Sequence, residues 1–160
     1  MAIQTDYVVA LEIESEDVAG AKAPTRRWPG YRAKGILPLD LSWLHFALTD
    51  DDPHAKTAKP RYVHNPFNDR DEWRAFEAVA ELAEFDCLTE EDSPWVYEVP
   101  RKLVDELARL EHLGEVAKKW AALREASGTP KELEHALLEL RKLARLAKSE
   151  RKSLLLRVAL

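Results

Sequence analysis

Apolar residues recur along this chain at two spacings, and the switches between them mark its elements. From Tyr7 to Glu14 the side chains alternate. Tyr7, Val9, Leu11 and Ile13 share one face and Val8, Ala10, Glu12 and Glu14 the other, which predicts a strand with its polar residues at the outer end. Trp95 to Val99 reads as a second strand and Ser153 to Leu160 as a third. In the third, Leu154, Leu156, Val158 and Leu160 line one side, while Arg157 interrupts the other. A cation there predicts a strand at a sheet edge or with one face near solvent.

Helical spacing fills the rest. Leu39 to Leu48 is short and apolar throughout, so a strand competes. Asp40 as a cap and Leu41, Leu44, His45 and Leu48 on one face favour a short helix. Asp69 and Glu72 have the form of a capping box opening a helix that carries Trp73, Phe76, Val79, Ala80 and Ala83 on one face. Pro100 suits a helix start, and Leu103, Val104, Leu107 and Leu110 follow on one stripe. A kink near residues 111–114 separates these from Val116, Ala117, Trp120 and Ala121, and Ser127-Gly128 ends the helix. Thr129-Pro130-Lys131-Glu132 then starts the longest helix, whose Leu133, Ala136, Leu137, Leu140, Leu143, Ala144 and Ala147 must be buried. Helices between extended runs predict an α+β fold: a small mixed or antiparallel sheet covered by four to five helices, in a single domain over residues 1–160.

Two polar stretches remain, read as loops: residues 15–37 and 50–71. The first holds Arg26, Arg27, Trp28, Tyr31 and Arg32, guanidinium groups beside aromatics, a composition that binds anions or stacks on flat ligands. No glycine-rich phosphate signature accompanies it, so the preferred reading folds Trp28 onto the domain and leaves the arginines in solvent. The second holds Asp50, Asp51, Asp52, His54, His64, Asp69 and Asp71 at spacings that wrap no single ion, so no metal and no cofactor is expected.

Charge is unevenly placed. Residues 1–100 carry 10 basic and 20 acidic side chains, residues 101–160 carry 14 and 9, and the net is −5. An acidic first part disfavours nucleic acid and suits a basic protein partner. The turn at Glu90, Glu91 and Asp92 is the predicted partner-binding patch. The basic end of the longest helix (Arg141, Lys142, Arg145, Lys148, Arg151, Lys152) is explained by its dipole. Cys87 is the only cysteine, no apolar run approaches about twenty residues, and residues 1–6 lack signal-peptide character, which together predict a cytoplasmic protein without a membrane partner.

Three blocks resemble the YfbM-like bacterial proteins of unknown function. They are Leu39 to Thr49, similar to that family's LD…W…HFLLT signature; Tyr97-Glu98-Val99-Pro100 with Val104, Leu107 and Leu110; and the helix-to-strand ending from Leu140 to Leu160. Here Trp43 and His45 are two residues apart, on different faces of a helix, where the family spaces the pair by about one turn. The resemblance implies a small α+β domain and no particular activity. The expected function is therefore a non-catalytic interaction protein, immunity-like or partner-docking, that uses an acidic surface. The alternative is a hydrolase or small-ligand-binding domain with its site between the two loops, drawing on Asp40, Trp43, His45, His64 and the Arg26-to-Arg32 segment. No catalytic motif is present to favour it.

Overall fold

The computed structural model describes residues 3–64, 71–72, 74–75, 94–123 and 128–159. A five-stranded antiparallel sheet organises them. Its strands are β1 (Gln4–Ala10), β2 (Gly30–Lys34), β3 (Arg61–His64), β4 (Trp95–Glu98) and β5 (Ser153–Ala159), in the order β2-β1-β5-β4-β3. Six helices are described: α1 (Ser15–Gly20), α2 (Pro24–Arg27), α3 (Pro38–Thr49), α4 (Arg101–Arg109), α5 (Leu113–Leu123) and α6 (Pro130–Glu150). The α+β expectation is met, with a sheet that is wholly antiparallel. The helix expected from Asp69 to near Phe85 and the turn at Glu90, Glu91 and Asp92 fall outside the described residues, except that Asp71, Glu72, Arg74 and Ala75 are helical.

The central strands are apolar on both faces. Tyr7, Val9, Trp95, Tyr97, Leu154, Leu156 and Val158 face the larger core, built with α3, α4, α5 and α6. Val8, Ala10, Val96 and Leu155 face a smaller one, closed by Val18, Ala19 and Trp28. β1 therefore ends at Ala10, and Glu12 and Glu14, expected within it, belong to a 3-10 turn that leads into α1. The 15–37 segment likewise holds two short helices and an edge strand, and the 50–71 segment holds the opposite edge strand. Gly30 is needed where β2 meets β1: a Cβ there would lie 2.6 Å from the Tyr7 carbonyl oxygen.

β5 lies at the centre of the sheet, between β1 and β4, where Arg157 had suggested an edge. Its guanidinium is buried under α1. Nε donates to the Ala19 carbonyl at 3.2 Å, and Nη1 stands 3.5 Å from the Asp6 carboxylate on the neighbouring strand. The cation is accommodated by a carboxylate in register with it, Asp6 opposite Arg157.

α6 buries all seven residues of its expected stripe, and its Thr129–Glu132 capping box forms: Thr129 N–H donates to Glu132 at 2.8 Å. Its basic end serves more than its own dipole. Arg141 and Arg145 donate to the carbonyls of Leu110 (3.0 Å) and Ala108 (2.9 Å), satisfying the last turn of α4. The predicted kink near residues 111–114 is a full break, with α4 ending at Arg109 and α5 starting at Leu113.

Candidate functional site

The residues singled out from the sequence do not converge. β2 and β3 are opposite edges of the sheet, four strand spacings of about 4.8 Å apart. The sheet also separates Trp28, in the smaller core, from Leu41 and Leu44 on α3, in the larger. Among the described residues, the two segments therefore supply opposite edges of the sheet, which does not favour a single site shared by residues 15–37 and 50–71. Among the described residues, the start of α1 reaches β3, where the Ser15 hydroxyl donates to the Val63 carbonyl at 3.2 Å and Glu16 acts on His64.

Most candidates are engaged in holding the fold. Trp28 is buried, its Nε1 donating to Glu14 at 3.3 Å, with the Arg27 guanidinium 4.6 Å above its ring. Arg27 and Arg26 stay in solvent, Arg27 facing Asp17 across 3.5 Å. Arg32 donates to Asp6 at 2.7 Å, so the expectation that it is merely solvated is corrected: a buried carboxylate claims it. Tyr31 is half-buried edge-on to His135. Asp40 is the third residue of α3 and not its cap. It accepts the Leu37 N–H at 2.7 Å, while its carbonyl accepts the Trp120 indole N–H at 3.0 Å. Trp43 packs edge-on against Phe46 and His54.

His45 has the chemistry closest to a catalytic group. Its Nε2 lies 3.5 Å from Asp51 Oδ2, and Asp51 is in turn paired with Lys102 at the start of α4. Thr49 ties the corner, accepting the Asp51 N–H at 3.2 Å and donating to the His45 carbonyl at 2.7 Å. Asp51 and Lys102 are the partners that sequence reasoning missed. Asp51 stood in the acidic run and Lys102 lies far along the chain, so no local spacing joins them. A His–carboxylate pair can shuttle protons only if substrate reaches the ring. Here the ring is 1% exposed, closed in beneath the chain from Asp51 to Ala58. It acts as a latch. Among the described residues, no group of three His, Cys, Asp or Glu could hold a metal ion, and no helix is long and apolar enough to cross a membrane.

Burial holds the His45 imidazole below its ordinary pKa of 6.5, with Asp51 pulling the other way. Burial lowers His64 as well, against the pull of Glu16. The folded chain thus binds these two protons less readily than the unfolded chain. Stability falls as pH drops from 6.5 down through the folded pKa values, and the loss levels off below them. Asp51, held low by Lys102, and Glu14, held low by the Leu11 N–H, lose their contribution in a separate, more acid window. Thermal melts stepped from neutral to mildly acid pH should show the first slope, and His45→Gln should flatten it. An unchanged slope in that variant would remove His45 from the account.

The comparisons with known proteins add no family to these observations: no family model, no curated protein and no solved structure matches the chain.

Proposed function

We propose that this protein is a non-catalytic binding protein that docks a basic partner protein through the turn from Leu11 to Asp17. The observation that carries the reading is Ile13, 87% exposed, beside Leu11 at 45%. Lone exposed apolar side chains are ordinary, but these two stand together on one short turn. Glu12, Glu16 and Asp17 surround them in sequence and are exposed as well, Glu12 pairing with Arg61 at 3.1 Å and Asp17 with Arg27 at 3.5 Å. The turn is held in shape before any partner arrives. Leu11 N–H donates to Glu14 at 2.8 Å, Glu14 N–H donates back to the Leu11 carbonyl at 2.9 Å, and Trp28 holds the same carboxylate. A rigid apolar knob with a carboxylate rim suits a partner groove edged with lysine or arginine, because little ordering entropy is lost on docking. The acidic run Glu90-Glu91-Asp92, which lies outside the described residues, carries charge of the same sign. The hydrolase reading draws less support, since among the described residues the sheet stands between Trp28 and α3, which carries Asp40, Trp43 and His45.

The likeness to the YfbM-like proteins stands beside this reading as a proposal. A YfbM-like structure with a different strand order would remove it.

Affinity capture from extract of the native cells, with retained proteins identified by mass spectrometry, tests the docking face. A basic protein should be retained by the native chain and lost on Ile13→Ser and on the double reversal Glu16→Lys/Asp17→Lys. Both variants should keep their folding stability within about 0.5 kcal/mol, since they alter exposed side chains. Capture indifferent to both substitutions and to salt would overturn the proposal.

A further inference from the structure

A cleft of about 380 Å³ opens where β4 runs into α4 and α6 turns into β5, linked to the Leu11–Asp17 turn by Arg61, which pairs with Glu98 of the cleft and Glu12 of the turn. We infer that it is a binding site for a small organic anion, a phosphate monoester or carboxylate carrying an apolar body. Its wall includes Val99, Val104, Ala147 and Leu154, all buried side chains of the larger core or its sheet strand. Arg101, Lys148, Arg151 and Lys152 line it together with two carboxylates, Glu98 and Asp105.

The carboxylates are already committed. Glu98 accepts from Arg61 and from the Ser153 hydroxyl at 2.7 Å, and Asp105 is paired with Lys148 at 2.7 Å. Lys152 is paired with Glu150 at 2.8 Å. Arg101 helps hold the charge on Glu98, and among the described residues neither Arg101 nor Arg151 has a carboxylate within 4.0 Å. The cleft lining thus carries four cations against two carboxylates, and a bound anion would supply the missing counter-charge.

Arg151 also sits in a costly conformation. Its φ is 55° in the left-handed region, at the position that ends α6, where Arg151 and Lys152 donate back to Lys148 and Ala147. Glycine takes that geometry without steric cost. An arginine there carries the strain and places a cation at the cleft mouth. The volume lies at the small end of ligand pockets, so an apolar body of one ring with a charged head fits it.

The experiment is a titration of the full chain with phenyl phosphate, benzoate and inorganic phosphate, followed by amide chemical shifts. Phenyl phosphate or benzoate should give saturable shifts at Arg101–Leu103 and Arg151–Leu154, and the better of the two names the head group. The double variant Arg101→Gln/Arg151→Gly should bind it at least about tenfold more weakly, the loss of two charge-assisted contacts. Arg151→Gly relieves backbone strain, so loss of binding cannot be ascribed to unfolding, and its melt confirms this. Absence of saturable shifts with either aromatic anion up to millimolar concentration would overturn the site. So would equal affinity in the double variant. Inorganic phosphate binding as tightly as phenyl phosphate would overturn the apolar body.

Discussion

Asp6→Asn is expected to lower the stability of this protein by about 3–5 kcal/mol, the cost of leaving a buried charge without its partner. Asp6 is fully buried on the face of the sheet that α1 covers, between Arg32 on β2 and Arg157 on β5. Among the described residues it is the one carboxylate within ion-pair distance of both, at 2.7 Å from Arg32 Nε and 3.5 Å from Arg157 Nη1. Arg32 is half-exposed and can turn to water, whereas Arg157 cannot. Burial already works against the charge on Arg157, Asp6 supports it, and Arg32 opposes it. Asparagine keeps the shape of the aspartate and removes only the support. Asp6→Leu combined with Arg157→Met should recover much of the loss, because a shape-matched apolar pair carries no desolvation cost. Urea denaturation of the two singles and the double gives the coupling directly. A cost for Asp6→Asn below about 1 kcal/mol, the range of surface pairs, would mean that water reaches the Arg157 guanidinium after all.

That triad shows where local sequence patterns stop being informative. Arg157 read as a mark of solvent because a neighbour-by-neighbour pattern cannot see Asp6, placed opposite it from the far end of the chain. The edge strands were hidden for a related reason. Gly30-Tyr31-Arg32-Ala33-Lys34 and Arg61-Tyr62-Val63-His64 are short and charged, as edges that resist further pairing tend to be, and such runs look like loops. Helices that bury one stripe were legible almost residue by residue, as in α6, since a period of 3.6 recurs several times over twenty residues. The candidate site was the least legible part. Composition can show that Trp28, Arg32 and His45 have useful chemistry, but a sheet decides which of them share a side. The Leu11–Ile13 knob was concealed for the opposite reason: alternation continued past Ala10, although the strand did not.

Trp120→Ala is the other substitution expected to be severe, at about 3–5 kcal/mol for truncating a buried tryptophan. For a chain of this size that amounts to a fall in melting temperature of roughly 2–4 °C per kcal/mol. The indole is fully buried on α5 and donates to the Asp40 carbonyl at 3.0 Å, so it fastens α5 to the first turn of α3. Removing it opens a cavity between helices that the sheet holds at fixed positions, and a rigid site collapses poorly. Trp120→Phe separates the two contributions. It keeps most of the apolar ring and loses the hydrogen bond, so its cost should stay near 0.5–1.5 kcal/mol by the net worth of such a bond. The two variants should also differ at a distance. α3 carries His45 at its other end, beside Asp51 and Lys102. If α3 moves as a rigid rod, Trp120→Ala loosens that latch, and amides from Asp51 to Ala58 should exchange faster while those of Trp120→Phe stay near native rates. Faster exchange confined to α5 in both variants would mean that the two ends of α3 are anchored independently. The pH slope assigned to His45 would then be insensitive to anything done at Trp120.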